Sequence, residues 1–542
     1  MISWVWRGVA SSLAQQLVKR LRRRGPDPVV PRADNLPKTP TVGQLTEAAA
    51  AAASGRADCE RYALLLLAVD ADPAAGELAQ LAEELLTSAE TSVWRQLDLA
   101  TRWSWWRAPI WAESTGSRLA SGQPSLLSLV LASFHPSGYV RESAVARLGE
   151  VAGPLSQRAL AVRTGDWVPQ VRNRARTAIE QQLSSADGLL AVGALAEAIA
   201  GQLHGRWLAD RFETAAATLG DADLARLRAA PDRRLRRAAY RVSLAERRLG
   251  IEELVEIAEH DADLVVRVRC ADAAIRAASA TGELGRVRPL ADGGTAAVRA
   301  AAVAAFAQAG DVAVVLAALP DRNPAVREGA QAAARRAGID PAVHYRELVQ
   351  ASEPPDPAAV AGLGETGTGG DAELVRPALA HPLPRGRVAA VRALRRLGAT
   401  DLDMLLRMLQ DPAPAVTRQA VLSLRPRAAE VPLARLEPLL DPASMPHVRT
   451  AAYRVLREHD VWTRLCVDLE LYDDADQGLR NRARNDVAGW LSREAATTYS
   501  MPTGDTADRL EHHLVRLTGT LESGRERLLR FHLGLPAGER LR

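Results

Sequence analysis

Apolar residues along most of this chain fall at helical spacing, and the helices they predict come in pairs. Leu402, Leu405, Leu406 and Leu409 stand at i, i+3, i+4 and i+7, the stripe of an amphipathic helix. A short turn carrying Asp or Pro follows. A second helix then opens with an apolar residue and Arg and continues through small side chains, as Val326-Arg327 leads to Ala330, Ala333 and Ala334. The same phrase returns along the chain. Asp321-Arg322-Asn323-Pro324-Ala325-Val326-Arg327 is matched by Asp166-Trp167-Val168-Pro169-Gln170-Val171-Arg172 and by Asp411-Pro412-Ala413-Pro414-Ala415-Val416. Shorter copies stand at Val140-Arg141, Leu235-Arg236, Val266-Arg267, Val298-Arg299, Val448-Arg449 and Leu479-Arg480. Neighbouring anchors lie 28 to 32 residues apart; the gap from 171 to 235 is a double step, and that from 326 to 416 a triple step with a weak copy at Gly386-Arg387. A steady period of this size predicts a solenoid.

Local signals agree with the period. Asn323 is a good N-cap before Pro324, and proline suits a first helical turn because its missing N–H has no partner there. Gly310, Gly338 and Gly398 each follow an anchor by twelve residues, where a helix end favours a left-handed residue. The pattern resembles HEAT repeats, and among them the short class first noted in phycobilin lyases. Leu397-Gly398-Ala399-Thr400-Asp401-Leu402 and Val326-Arg327 with Asp321 upstream carry the resemblance, which covers about residues 125–495 and reaches back toward 45. It implies an all-α fold, an α-solenoid or superhelix of stacked antiparallel helix pairs, in a non-catalytic member. In HEAT repeats such Asp and Arg residues form a ladder between repeats. The resemblance therefore implies a structural role for Asp166, Asp261, Asp321, Asp411 and Asp474, each five residues before its anchor, and for His135 and His381 in the same slot.

Charge changes the picture at one end only. Residues 1–42 hold eight basic groups against Asp27 and Asp34, while the rest of the chain has 61 basic and 63 acidic residues. A near-neutral solenoid argues against a general nucleic-acid cradle. Only Lys19 and Lys38 are lysines, a bias that fits a GC-rich, bacterial genome. Cys59, Cys270 and Cys466 are odd in number and far apart, which excludes a disulfide framework and the usual zinc spacing and suits a reducing cytoplasm. No run of 18 apolar residues occurs, so no membrane span is expected.

The chain divides by pattern into an amphipathic helix (1–24), a proline-rich linker (25–42), atypical repeats with a Trp-rich segment (43–124), the regular solenoid (125–495) and capping helices (496–542). The first helix carries Trp4 and Trp6 and ends in Arg20, Arg22, Arg23 and Arg24. Docking onto protein is its preferred reading; an interfacial helix on an anionic membrane is the other. In the Trp-rich segment Trp94, Trp103, Trp105, Trp106 and Trp111 are interleaved with Arg95, Arg102 and Arg107. Trp103 and Trp106 share a helix face and Trp105 does not, so the cluster is either an exposed partner-binding patch or the filling of an irregular end. Arg233, Arg237 and Arg241, four apart, line one helix face: an anion-binding stripe, or a row paired with acids of neighbouring repeats, the commoner outcome.

Familiar chemistry is missing. Gly362-Leu363-Gly364-Glu365-Thr366-Gly367 matches a dinucleotide-binding phrase, but no strand precedes it and it falls at a helix end. No His-Glu pair, Gly-x-Ser-x-Gly, Walker sequence or HExxH occurs. Trp103 and Trp105 beside Asp98 are too little for a glycosylase-like site. The expectation is a cytoplasmic, non-catalytic scaffold without cofactor or metal that binds a protein partner, with nucleic-acid binding through local Arg stripes as the alternative and membrane contact through residues 1–24 as a further one.

Overall fold

The computed structural model of the chain describes residues 38–107, 119, 122 and 124–536. The expectations for residues 1–24, with Trp4, Trp6, Arg20, Arg22, Arg23 and Arg24, and for Trp111 lie outside the described residues. Among the described residues all regular structure is helical and no strand is present. The helices pair and stack as an α-solenoid of the HEAT-like kind, in two compact units, Met1–Ile257 with Asp261–Ala273, and Ala258–His260 with Ala274–Arg542.

The first unit opens with α1 (Val42–Ala51), α2 (Arg56–Ala71), α3 (Gly76–Ser88) and the long α4 (Thr91–Arg107). Regular pairs follow: α5 (Leu126–Ala132) with α6 (Gly138–Leu148), α7 (Pro154–Arg163) with α8 (Pro169–Glu180), α9 (Ala186–Ile199) with α10 (Arg206–Ala217), and α11 (Asp221–Arg228) with α12 (Arg233–Ala245). Helices α13 (Ile251–His260) and α14 (Leu264–Thr281) lie where the chain passes from one unit to the other. Within the first unit second helices pack on second helices, α6 on α8 and α10 on α12, while α9 packs on α7. One continuous apolar core runs from Leu45 to Val242, with Trp94, Phe134 and Phe212 fully enclosed.

The second unit contains α15 (Pro289–Asp292), α16 (Ala296–Gln308), α17 (Val312–Ala318), α18 (Pro324–Arg336), α19 (Pro341–Gln350), α20 (Pro357–Thr366), α21 (Ala372–Val375) and α22 (Pro384–Arg396). It continues with α23 (Leu402–Leu409), α24 (Pro414–Leu424), α25 (Leu433–Leu436), α26 (Pro446–Leu456), α27 (Val461–Glu470), α28 (Gln477–Arg493), α29 (Asp505–Arg516) and α30 (Ser523–His532). Asn323 caps α18 by accepting from the Ala325 N–H, with Pro324 in the first turn. Gly310, Gly338 and Gly398 all take the left-handed conformation, with φ of 80°, 77° and 69°. The two long gaps in the repeated phrase hold ordinary second helices. In α10 and α20, Leu208-Ala209 and Val360-Ala361 stand where other repeats have an apolar residue and Arg.

The recurring Asp and Arg lock one repeat to the next at several points along the chain. Arg141 meets Asp166 through two hydrogen bonds of 2.9 and 3.0 Å, and neither side chain has exposed surface. Arg299 binds Asp321, Arg387 binds Asp411 and Arg449 binds Asp474 in the same two-pronged way. The guanidinium also donates to a carbonyl of its own turn, Arg141 to His135 and Arg387 to His381. Each Asp in turn accepts the N–H two residues on, as Asp166 does from Val168 and Asp411 from Ala413. His135 and His381 do that turn-closing work with Nδ1, accepting from Ser137 and Leu383. Burial raises the Asp166 carboxyl, but the Arg141 hydrogen bonds and the Arg163 charge outweigh it and hold the group below the usual carboxylate range. A bidentate fork satisfies a carboxylate and fixes its angle at once, which is why a repeat interface uses Arg here.

Candidate functional site

The Trp-rich segment divides in two. Trp94, on the first turns of α4, is fully buried: its indole N–H donates to the Leu86 carbonyl at 3.1 Å and its ring meets Phe134 edge-on at 6.1 Å. Trp103, Trp105, Trp106, Arg102 and Arg107 belong to the last turns of the same helix. Only their place on α4 is described, so the choice between partner patch and irregular filling stays a proposal for them.

What the first half of α4 does present is a groove. Arg95, Gln96, Asp98 and Leu99 line a cavity of about 420 Å³ together with Arg163, Gly165 and Trp167 from the α7–α8 turn, Gln202 beyond α9, and Arg234 of α12. The cavity continues past Ser92 and Arg234 into a second hollow of about 910 Å³ along the start of α4, Arg158 and Leu190. Leu99 and Trp167, on that one lining, are 56% and 62% exposed. The Trp167 ring is not loose. The buried Arg141 guanidinium lies over it at 4.6 Å, and that same guanidinium is held by Asp166. An exposed aromatic side chain is thus anchored through the repeat ladder, a preorganised contact surface. Below it Arg163 pairs with Asp98 at 2.6 Å and with Asp166 at 2.9 Å, so the floor is electrically balanced. At the rim, Arg95 and Arg234 have none of the described carboxylates within ion-pair distance.

The arginine stripe of α12 is placed on one face as its spacing requires, and acids of neighbouring repeats meet it. Arg237 grips Asp263 at 2.8 and 2.9 Å, and Arg233 reaches the same carboxylate at 3.4 Å. Arg241 bonds Glu197 at 2.6 Å and Glu213 at 2.8 Å. The Arg237 hydrogen bonds outweigh burial and hold the Asp263 carboxyl far below the ordinary carboxylate range. Arg237 and Arg241 are thus paired within the protein, while Arg233 keeps 74% of its side chain exposed.

The phrase resembling a nucleotide-binding loop is a packing device. Gly362 and Gly364 sit inside α20, where a Cβ would come within 2.1 Å of the Tyr345 ring and 2.4 Å of Ala393. All three cysteines are buried, and burial pushes the Cys59 and Cys466 thiols up to about 11 and the Cys270 thiol up to about 12, away from nucleophilic use. Among the described residues no group of His, Cys, Asp or Glu is arranged to hold a metal ion, and no helix is long and apolar enough to cross a membrane.

The residues that the sequence pattern passed over are Leu99, Trp167 and Arg234. One signal was available for Trp167: the position after the Asp of the phrase is Arg322 and Pro412 in the other full copies, a solvent-facing slot in which tryptophan is out of character.

No protein-family model matches the chain, and no curated protein matches it. Among solved structures, importin beta is similar with 13% identity and a TM-score of 0.34, the match covering 91% of this chain and 66% of importin beta. The chain thus spans just under two thirds of that protein's length. A chain from a study of tubulin recruitment and assembly by microtubule polymerases with TOG domain arrays is similar with 11% identity and a TM-score of 0.14, over 84% of this chain and 95% of the other.

Proposed function

We propose that this protein is a non-catalytic, cytoplasmic scaffold that captures a protein partner in the groove of its first unit. The observation that carries the reading is the rim itself: Leu99 and Trp167 are exposed beside Arg95 and Arg234, which have no ion-pair partner among the described residues, over a cavity of about 420 Å³. Trp and Arg around a desolvated pocket are the composition of binding hot spots. Arg237 and Arg241 of α12 are paired with Asp263 and Glu197, which supports a protein partner over a phosphate backbone.

Site-specific photo-crosslinking tests this. A photoreactive residue in place of Leu99, in protein expressed in its native host, is expected to yield one or a few discrete protein adducts that Trp167→Ala reduces without lowering Tm. The same residue at Val343, 50% exposed on α19 of the second unit and absent from the groove lining, is the control. Identical adducts from both positions, or adducts that nuclease removes, overturn the reading.

A further inference from the structure

Second helices of the second unit stack in order, α22 on α24 and α24 on α26, and each carries an arginine that the repeat ladder does not use. Arg418, Arg454 and Arg482 are exposed on α24, α26 and α28, and Arg392 of α22 stands at the place in its helix that Arg454 takes in α26. None of the described carboxylates lies within ion-pair distance of these four side chains. Partial burial lowers the Arg454 guanidinium, and the neighbouring Arg482, Arg418 and Arg425 lower it further. Elsewhere the protein answers such charges: Arg387 and Arg449, on α22 and α26 themselves, are each gripped by an aspartate. Arg418, Arg454 and Arg482 repel one another, a cost to stability that an acidic ligand relieves.

We propose that the face built by α22, α24, α26 and α28 binds an acidic, partly apolar polypeptide segment in polyproline II conformation, its carboxylates meeting Arg392, Arg418, Arg454 and Arg482. Charge complementarity selects the acid. Between Arg418 and Arg454 a cavity of about 260 Å³ has a floor of Val421 and Ala451 flanked by Pro414 and Pro446, and Leu422, the next residue of α24 after Val421, is 46% exposed. That floor takes an aliphatic side chain. Asp476, the one carboxylate on the lining, accepts the Leu479 N–H at 2.9 Å as the cap of α28 and is held in its charged form there. Packed helices stand about 8–10 Å apart. A polyproline II chain repeats every three residues, about 9.3 Å, so an acid at every third position meets one helix after another. No exposed large aromatic side chain lies on α22, α24, α26 or α28 among the described residues, so unstacked bases have no platform there.

The test uses the full chain and a labelled twelve-residue peptide, (Glu-Pro-Leu)4, read by fluorescence anisotropy at low salt, with (Lys-Pro-Leu)4 and a dT12 oligonucleotide as comparisons. Binding of the acidic peptide is expected, with roughly tenfold or greater loss in Arg418→Glu/Arg454→Glu. Because neither arginine has an internal partner, Tm of the double variant should hold or rise; if charge reversal disturbs folding, Arg418→Gln/Arg454→Gln replaces it. Absence of peptide binding, equal binding by the variant, or tighter binding of dT12 overturns the proposal. It stands on the second unit alone, so its failure leaves the groove beside α4 untouched, and failure of the Leu99 crosslink leaves this face untouched.

Discussion

Asp468 on α27 has no exposed surface, and the Tyr453 hydroxyl donates to its Oδ1 at 2.6 Å. Its Oδ2 is buried with no donor to accept from, while the Asp486 carboxylate, gripped by Arg457 and Arg464, lies within hydrogen-bonding reach. Burial first, and the Asp486 carboxylate second, push the Asp468 carboxyl up to about 9, so it keeps its proton and donates it to Asp486. The unfolded chain ionises at the ordinary carboxylate value, near 3.8. Below that value both states hold the proton and stability is undiminished. As pH rises toward 9 the unfolded state gains by ionising and the folded state loses by comparison, by about 1.4 kcal/mol per pH unit at the limit. Asp468→Asn keeps both hydrogen bonds, the amide donating to Asp486 and its oxygen accepting from Tyr453, and it cannot ionise. The variant is therefore expected to melt several degrees higher than the parent at pH 7.5, a gain on the order of a few kcal/mol that vanishes near pH 4. Thermal melts at the two pH values decide it; a gain that does not depend on pH, or a loss at pH 7.5, rejects the protonated assignment.

At the scale of helices, glycine separates contact faces from open ones. Gly364 in α20 faces α22 so closely that a Cβ would lie 2.4 Å from Ala393 Cα, a backbone atom that cannot step aside. Gly329 in α18 has nothing within 4 Å of the same construction. Gly364→Ala should cost about 1–3 kcal/mol or more by forcing the helices apart, whereas Gly329→Ala should gain up to about 1 kcal/mol from backbone entropy alone. Paired denaturant titrations test this, and a shift of both midpoints in one direction refutes it. The same contrast explains what the sequence made legible. The phrase around Val326 and Val416 could be read because each copy performs one task at one slot, and the ladder keeps that slot unchanged. The copies in α10 and α20 were hidden because Ala209 and Ala361 make no ladder. There Arg176 donates to the His204 carbonyl at 3.0 Å, and Arg327 turns to Glu365 at 2.6 Å, so the arginines meet partners other than the ladder aspartate. Function was harder to read for a related reason. The dense arginines of α12 form the most prominent charge run, yet Arg237 and Arg241 are held by acids, while Arg418, Arg454 and Arg482 come one to a repeat and form no run with one another in the sequence.

At the scale of the whole chain, each unit of a solenoid relies on a neighbour to complete its core. Here α29 and α30 lie against α27 and α28 and supply Leu510, Leu514, Leu517, Leu529 and Leu533 to a cluster with Leu465, Leu469, Val487 and Trp490. Trp490 is fully buried, edge-on to Trp462 at 6.2 Å and to His532 at 5.9 Å. Arg516 ties the cover down, donating to the Leu469 carbonyl at 2.8 Å and pairing with Asp473 at 2.6 Å. Removing residues 500–542 leaves Trp490 and its neighbours facing water, a loss comparable to the roughly 3–5 kcal/mol of a large core truncation. In a stack where each repeat contacts only its neighbours, that loss is felt locally and fades along the chain. Hydrogen exchange on the shortened protein should therefore speed up for the amides of α27 and α28, fall off through α26 and α24, and leave α6 to α12 at parent rates. Binding of a hydrophobic dye should rise in parallel. Exchange that accelerates equally in both units contradicts the nearest-neighbour account, and exchange unchanged in α27 and α28 means that α29 and α30 are not a cover.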